Sequence, residues 1–351
     1  MTHHHHRNCL FCIIPPYIFD HMINSKDAAV RKSASEALQS GAAARAIRST
    51  LSTMPQMSAI PSPAGKKHRL VYDLRNQGMN ALPGKLVLEE GGKASTDPAV
   101  REAYLHAGIV YDYYLKIFSR NSLDNNGMSL ISSVHLNKNH NNAYWTGEQM
   151  VYGDGDGQMF VRFTKSLDVV GHEFSHGVVT HTCNLEYSYE SGALNEHFAD
   201  VMGVLVMQWR KKHTAAKAAW TIGKDCLGPA VNATGLRTFK AEKAFENDPI
   251  MGTDIQPKHY SDKYGGSSDY GGVHINSGIP NHAFYVTANQ LGGHAWEKAG
   301  RIWYHTLGLL NSHSKFADMV KATGNAAASL YGAGSIEVKA VEKGWKQVGL
   351  L

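Results

Sequence analysis

Residues 172–176 read His-Glu-Phe-Ser-His, and they constrain the fold more than any other part of the chain. His172 and His176 are four positions apart, so on an α-helix both rings lie on one face and can bind one metal ion. Glu173 follows the first histidine and can reach a water on that metal. Catalytic zinc normally takes three protein ligands, so this spacing alone fits two packed or surface histidines of a helix equally well.

A second predicted helix, at about 191–211, supplies the missing ligand. Glu196 lies twenty residues after His176, which leaves room for a turn that returns the chain alongside the first helix. It can then complete a two-histidine, one-glutamate zinc site. Asp200, one turn further on, is placed to accept the other ring N–H of a zinc histidine, and Asn195 can do the same for the second histidine. Two carboxylates four apart usually form a solvated face, but their neighbours here are apolar, which indicates an inward face.

Composition and charge exclude several classes of protein. The 351 residues are 43% hydrophobic and 19% charged, which is typical of a globular protein, and no apolar run is long enough to cross a membrane. The net charge of +5 comes mostly from residues 1–66, which hold seven basic and three acidic side chains. No basic stripe with interleaved aromatic residues is present, so we expect neither a nucleic acid nor a membrane as partner.

The first 66 residues are predicted to form a segment of their own. Residues 27–53 are rich in Ala, Arg and Ser and predict one helix. Residues 54–66 contain three prolines and no apolar period, as linkers do, and an exposed linker is prone to proteolysis. We therefore place a boundary at residue 66 and expect a removable N-terminal segment before it.

Four cysteines are too few for a disulfide scaffold. Cys9 and Cys12 form a Cys-x-x-Cys pair without a second pair, which favours unpaired thiols in a flexible N-terminus over a metal or redox site. Pairing of Cys183 with Cys226 stays open. The histidine run at residues 3–6 resembles an affinity tag or a natural tract and is assigned no part in metal binding.

The apolar pattern predicts an α+β fold with two lobes. Strands are predicted within residues 68–90 and 128–163, around a helix at about 97–118. The N-terminal lobe, residues 67–186, is therefore mixed and rich in β-structure, and it ends with the helix at about 166–182. The C-terminal lobe, residues 187–351, is mostly helical after an irregular stretch that reaches about residue 272. Its closing helices are predicted at about 274–291, 295–310, 315–330 and 335–346.

Five motifs together resemble the thermolysin family of neutral zinc metallopeptidases over roughly residues 68–351. They are Asn-Asn-Ala-Tyr-Trp at 141–145, Tyr-Gly-Asp-Gly-Asp-Gly at 152–157, Gly-His-Glu-Phe-Ser-His at 171–176, Glu-Ser-Gly-Ala-Leu-Asn-Glu at 190–196 followed by Asp200, and Asp-Tyr-Gly-Gly-Val-His-Ile-Asn-Ser-Gly at 269–278. Separate motifs in the right order make a chance match improbable. The resemblance implies a two-lobe endopeptidase with one catalytic Zn²⁺ ion on the helices between the lobes.

The resemblance also implies catalytic roles for individual residues. Glu173 would take a proton from the attacking water and deliver it to the leaving amine. His274 and Tyr187 would stabilise the negative charge of the tetrahedral intermediate. Asp269 would orient His274 and favour its protonated form. A packed core histidine is the competing interpretation of His274.

Substrate-binding residues are implied in the same way. Asn142 and Ala143 match the edge-strand residues that hold the substrate backbone, a mode that tolerates many sequences. Arg237 matches the arginine that binds the substrate carbonyl beyond the cleavage point. Apolar residues stand where the family lines its S1′ pocket, which predicts cleavage before bulky hydrophobic residues. These residues are Phe160, Phe163, Val169 and Leu236.

The chain departs from longer family members at their paired calcium site. Asp168 matches one of the ligands, but Met207 stands where the second helix has an acid, and basic side chains follow it. Hard cations need several oxygen ligands, so the double calcium (Ca²⁺) site is predicted to be absent. The loop with Asp154 and Asp156 looks like half a calcium loop, although its glycines fit a turn better. A single calcium ion elsewhere stays open.

The N-terminal segment resembles that of the protealysin subgroup, which has a short propeptide with a Pro-Pro-Tyr motif, here at residues 15–17. The resemblance implies a zymogen whose own propeptide blocks the active site as an intramolecular inhibitor and is removed by autocatalysis. It also implies secretion without a conventional signal peptide, with cytoplasmic accumulation before release as the alternative. A disordered tail is the competing interpretation of this segment.

Two other classes of function compete with the zinc endopeptidase. A catalytically silent binding protein would have lost a zinc ligand or one of Glu173, His274 and Tyr187, and none is lost. An aminopeptidase would need an acidic anchor for the amino terminus of the substrate, and no motif for one is found. The favoured hypothesis is therefore a metalloendopeptidase that acts as a monomer on protein or peptide substrates.

Overall fold

A computed structural model describes residues 11–51 and 66–351 of the chain. The N-terminal half of the described chain forms a six-stranded sheet from β1 (Phe11–Cys12), β2 (Arg69–Asp73), β3 (Lys85–Glu89), β4 (Leu130–Val134), β5 (Ala143–Trp145) and β6 (Met150–Tyr152). The strand order is β1-β5-β6-β4-β2-β3, with β2, β4 and β6 parallel to one another and the other neighbours antiparallel. A separate two-stranded sheet pairs β7 (Thr221–Ile222) with β8 (Arg237–Thr238).

Helices flank the large sheet and make up most of the remaining regular secondary structure of the described chain. In the described ranges they are α1 (Pro16–Ile23), α2 (Ala28–Leu51), α3 (Pro98–Phe118), α4 (Leu167–Thr180), α5 (Tyr189–Lys211), α6 (Ser268–Asn276), α7 (Gly278–Leu291), α8 (Ala299–Leu307), α9 (Phe316–Tyr331) and α10 (Ile336–Gln347). The predicted α+β arrangement, with a mixed first lobe and a helical second lobe, is confirmed. None of these helices has the length and apolar character needed to cross a bilayer.

Helix α3 begins as the sequence predicts. The Asp97 carboxylate accepts the backbone N–H groups of Ala99 and Val100, and Pro98 occupies the first turn. An aspartate at this position satisfies donors that have no partner within the helix. Local sequence therefore specifies the start of this helix, and a contact of 3.1 Å between Asp97 Oδ2 and His135 Nε2 adds a tertiary partner.

The N-terminal segment corrects one prediction. Cys12 was expected in a flexible N-terminus, but it lies in β1, which pairs with β5, and α1 begins with Pro16. Proline is tolerated in the first turn of a helix because the N–H group at that position has no helical partner anyway, so Pro15 and Pro16 start a helix instead of only ending an apolar run. Helix α2 matches the predicted helix at 27–53, whereas Cys9 and most of the predicted linker lie outside the described residues.

One core extends through both lobes and includes the N-terminal segment. Ile13, Ile14 and Ile18 are fully buried in the same apolar cluster as residues of α4 and α5. Cys183 and Cys226 are both buried free thiols, so they do not form the disulfide that the sequence left open.

Helices α4 and α5 approach each other closely at a pair of glycines. A Cβ atom on Gly203 would lie 2.5 Å from the Asp168 carbonyl oxygen and 3.0 Å from the backbone nitrogen of His172. A Cβ atom on Gly171 would lie 3.1 Å from the Cα atom of Gly203. Any larger residue at either position would push the helices apart. The glycines therefore bring the middle of α5 against the histidine-bearing face of α4.

We expect Gly203→Ala to lower the free energy of unfolding by about 1–3 kcal/mol, because the added methyl group overpacks the contact between the helices. The measurement is urea unfolding in a Glu173→Ala background, which lacks the predicted general base. Gly324→Ala in α9 is the matched control, because a Cβ atom there meets nothing within 4 Å. The control should leave stability unchanged or raise it by up to about 1 kcal/mol. Equal effects of the two substitutions would contradict the role assigned to Gly203.

Candidate active site

Helices α4 and α5 bring His172, His176 and Glu196 together. Their ligand atoms all lie within 4.8 Å of one another, and the three side chains are fully buried. The two Nε2 atoms are 3.0 Å apart, and each lies 3.5 Å from a carboxylate oxygen of Glu196. Glu196 Oε2 accepts no hydrogen bond from the described part of the protein. Two imidazoles and a carboxylate with a buried, unsatisfied oxygen fit a catalytic zinc ion.

Both histidines are held through their other ring nitrogens. Asp200 Oδ1 lies 2.8 Å from His172 Nδ1, and Asn195 Oδ1 lies 2.8 Å from His176 Nδ1. Asn195 accepts the N–H of His176, and the Asp200 carboxylate pairs with Nδ1 of His172. This arrangement leaves both Nε2 atoms as lone-pair donors toward the metal position. Burial and the neighbouring His172 hold the pKa of His176 well below its usual value, so its imidazole is neutral, the form that binds metals.

Asp200 has two further partners that the sequence pattern did not predict. Arg237 donates to its carboxylate from Nη2 at 2.8 Å and from Nε at 3.1 Å, and Asn281 Nδ2 donates to Oδ2 at 2.9 Å. Burial alone would raise the pKa of Asp200, but the charges of Arg237 and His172 lower it overall. The carboxylate therefore stays ionised. Its partners lie 37 and 81 positions away in sequence, so no local spacing reveals them.

Glu173 lies on α4, next to the first histidine, and is fully buried. Burial raises the pKa of Glu173 well above its usual value, and the charge of Glu196 raises it further. Neither of its carboxylate oxygens has a hydrogen-bond partner in the described part of the protein. A carboxyl group with a raised pKa can both accept and return a proton near neutral pH.

Tyr187 and His274 face the metal position from the second lobe. The Tyr187 hydroxyl donates to Glu196 Oε1 and lies 3.1 Å from His274 Nε2. Burial lowers the pKa of His274, but the carboxylates of Glu196 and Asp269 outweigh this and raise it well above its usual value. Burial raises the pKa of Tyr187, so its hydroxyl keeps its proton. Both side chains are therefore hydrogen-bond donors.

A left-handed turn at the start of α6 positions Asp269 against His274. The sequence predicted one helix at 274–291, but the structure has two helices and four consecutive residues with positive φ, from Asp269 (φ 53°) to Gly272 (φ 82°). Glycine adopts this conformation without a steric cost. The turn returns the Asp269 carboxylate to His274, where Oδ1 lies 2.6 Å from Nδ1 and Oδ2 accepts the backbone N–H at 2.8 Å.

The cleft beside these residues is occupied by residues 11–14 of the N-terminal segment. Strand β1 pairs antiparallel with β5, and the Ala143 carbonyl accepts the Ile13 N–H at 3.4 Å. Asn142 Oδ1 accepts the Ile14 N–H at 3.3 Å. The sequence assigned Asn142 and Ala143 to a substrate and did not predict that the chain's own isoleucines take this place.

The carbonyl groups of the same segment contact the opposite wall of the cleft. Arg237 Nη1 donates to the Ile13 carbonyl at 2.8 Å, and the Cys12 carbonyl lies 3.1 Å from His274 Nε2. Ile13 is buried in the same core as the four residues predicted to line the S1′ pocket. All four are fully buried in this structure: Phe160, Phe163, Val169 and Leu236.

Two family models match consecutive parts of the chain. The model described as thermolysin metallopeptidase, catalytic domain, matches residues 57–180, and that for the alpha-helical domain matches residues 183–350. The chain belongs to the thermolysin metallopeptidase family. It is 46% identical over 287 residues to protease PrtS of Photorhabdus sp. (strain Az29), covering 81% of this chain and 76% of that protein. It is 43% identical over 290 residues to an extracellular metalloprotease of Pectobacterium carotovorum subsp. carotovorum, covering 82% of each.

A solved structure extends the similarity to the N-terminal segment. The precursor of protealysin, a metalloproteinase from Serratia proteamaculans, is 41% identical, with a TM-score of 0.87 over 97% of this chain and 100% of that chain. Because almost the whole chain is covered, the likeness is not confined to the two lobes. The predicted thermolysin-family metallopeptidase of the protealysin type is confirmed, and with it a metalloendopeptidase.

The acidic residues considered for calcium are bonded to protein groups in this thermolysin-family chain. Asp168 accepts the backbone N–H groups of Val169 and Gly223, both at 2.9 Å. Asp154 lies 2.7 Å from His135 Nδ1, and Asp156 accepts backbone N–H groups of the loop that follows it. Asp168 and Asp156 therefore bind backbone N–H groups, and Asp154 is paired with a histidine side chain.

We expect Asp200→Asn to weaken zinc affinity by about 10–100-fold, because the amide is a poorer acceptor for the His172 N–H. The measurement is competition with a chromogenic chelator in the Glu173→Ala background, after circular dichroism has shown an unchanged fold. Asp262→Asn, at an exposed carboxylate, is the matched control and should leave zinc affinity unchanged. An unaltered affinity in the Asp200→Asn protein would count against its contact with His172 as a support of the metal site.

Proposed function

We propose that this chain is a zinc-dependent neutral endopeptidase that cleaves before bulky hydrophobic residues. The observation that carries the proposal is the buried donor set of His172, His176 and Glu196, with Glu173 and its raised pKa beside it. A zinc ion bound there would supply Lewis-acid chemistry to a water molecule and to the scissile carbonyl. The remaining steps are proton transfers and hydrogen bonds that the chain's own side chains make.

Each catalytic side chain has a separate role in the proposal. Glu173 takes the proton of the attacking water and passes it to the leaving amine, for which it must hold a proton between the two steps. Tyr187 and His274 donate hydrogen bonds to the carbonyl oxygen as it becomes negative. Asp269 keeps His274 oriented and protonated, which its 2.6 Å contact supports. The directions of the pKa shifts of these groups agree with the roles.

Substrates are proposed to bind as a strand antiparallel to β5. Asn142 and Ala143 would hold the substrate N–H groups, and Arg237 would donate to a substrate carbonyl. Residues 11–14 support this, because their backbone makes the same contacts in the present structure. Main-chain bonds do not distinguish side chains, so specificity must come from the apolar pocket.

Metal removal and loss of Glu173 test the endopeptidase directly. We expect processed wild-type protein to hydrolyse casein, to lose this activity with a chelator that prefers zinc to calcium, and to regain it with zinc alone. Glu173→Ala should lower kcat by at least about 10²–10⁴-fold, because a positioned general base contributes that much. Activity that persists in the chelator and in the variant would contradict the proposal. A catalytically silent binding protein would show no hydrolysis in any arm.

The pocket residue Leu236 tests the specificity. We expect a peptide library to show preference for Leu, Ile or Phe at P1′, and Leu236→Ala to shift the kcat/KM ratio toward Phe, because the substitution enlarges the pocket. Leu309→Ala is the matched control, since Leu309 is exposed, and it should leave the ratio unchanged. A preference for acidic or basic P1′ residues would refute the proposed pocket.

Residues 1–66 are proposed to be a propeptide ahead of lobes at 67–186 and 187–351. It would act as an intramolecular inhibitor and be removed autocatalytically. Occupation of the cleft by residues 11–14 supports inhibition, and so does the likeness to the protealysin precursor. The alternative of a disordered tail does not fit residues 11–51, which contain β1, α1 and α2.

Metal content, assembly and location complete the proposal. One catalytic zinc ion is proposed without the paired calcium site, and a single calcium ion elsewhere stays open. The internal bonds of Asp168 support this, and a requirement of the casein activity for several calcium ions would contradict it. We also propose a monomer that is released from the cell, with cytoplasmic accumulation before release as the alternative. The name of the Pectobacterium relative, an extracellular metalloprotease, supports release.

A further inference from the structure

The backbone contacts of residues 11–14 centre on one peptide bond. The Cys12 carbonyl oxygen lies 3.1 Å from His274 Nε2, the ring that also contacts Tyr187. On the other side of that bond, the Ile13 N–H donates to the Ala143 carbonyl, and the Ile13 carbonyl accepts from Arg237. The Cys12–Ile13 bond therefore lies between His274, which is proposed to bind the reacting carbonyl, and Arg237, which is proposed to bind the carbonyl of the following residue.

Side-chain burial agrees with this backbone register. The family resemblance assigns Arg237 to the carbonyl beyond the cleavage point, and Arg237 holds the carbonyl of Ile13. Ile13 is a bulky hydrophobic residue, 0% exposed, in the core that contains Phe163 and Leu236. A substrate cleaved before such a residue would run in the same direction and would also bury that side chain. The segment thus occupies the cleft in a productive register and not in reverse.

We propose that the Cys12–Ile13 bond is itself cleaved by this active site, at a position distinct from the linker at 54–66. This inference rests on the proposed function. Water adds to the Cys12 carbonyl carbon, the bond from that carbon to the Ile13 nitrogen breaks, and Glu173 passes the proton of the water to that nitrogen. The products are a carboxylate at Cys12 and a free amine at Ile13.

This cleavage removes residues 1–12 without freeing the active site. Behind the new terminus, the Ile14 N–H still donates to Asn142 Oδ1, and Ile18 and Met22 of α1 remain fully buried in the core. The trimmed propeptide therefore stays in place as a bound product. Because the bond and the catalytic groups belong to one chain, the rate is first order and independent of protein concentration.

The test follows the full-length, zinc-loaded chain by mass spectrometry. We expect fragments that begin at Ile13, at a rate that does not change with protein concentration, and none in Glu173→Ala. Ile13→Pro should abolish cleavage there, because it removes the N–H that Ala143 accepts, whereas Ile13→Leu should retain it as the matched control. An intact Cys12–Ile13 bond, or a rate proportional to concentration, would overturn the inference.

A casein assay on the same preparation, after removal of the propeptide, distinguishes failure of this inference from failure of the proposed function. Casein hydrolysis with an intact Cys12–Ile13 bond overturns only the inference, and absence of both reactions overturns the proposed function as well. A second readout needs neither metal nor catalysis. In metal-free Glu173→Ala protein, amide hydrogen exchange should be slow at Ile13 and Ile14, and Asn142→Ala should speed exchange at Ile14 but not at Ile13. Rapid exchange at both amides would contradict the register.

Discussion

The close approach of α4 and α5 is the contact on which the active site depends. The two histidines come from one helix and the glutamate from the other, so the metal ligands meet only if the helix axes come close. Gly171 and Gly203 allow this, because side chains there would collide with the opposite backbone. The same approach places Asp200 against His172. One pair of small residues thus sets both the ligand geometry and the support behind it.

The parts of the site that the sequence predicts are those with local spacing. His172 and His176 share a helix face by periodicity alone, and the start of α3 follows from Asp97 and the proline after it. Contacts between distant segments were not predictable in this way, as Arg237 with Asp200 shows. The left-handed turn before His274 was also missed, since propensity does not reveal a tertiary bend. Roles such as that of Tyr187 came from family resemblance and not from spacing.

Charge compensation explains why so many ionisable groups can be buried around one position. Asp200 is held ionised by Arg237 and His172, and His274 is held protonated by Asp269 and Glu196. Burying any of these groups alone would be unfavourable, because an isolated charge loses its hydration. The network therefore works as a unit, and the occupant of the cleft joins it through the Ile13 carbonyl on Arg237.

Strand β1 is the edge strand of the sheet, and without it β5 would form that edge. Without the N-terminal segment, residues Ala143–Trp145 would present unpaired N–H and C=O groups to other chains, which is how sheets recruit strands and aggregate. Covering this edge protects a newly made chain from self-association while it folds. The strand is only three residues long, which would limit this hazard in a chain that lacks the segment. The edge that is proposed to bind substrates is therefore both covered by the N-terminal segment and short in itself.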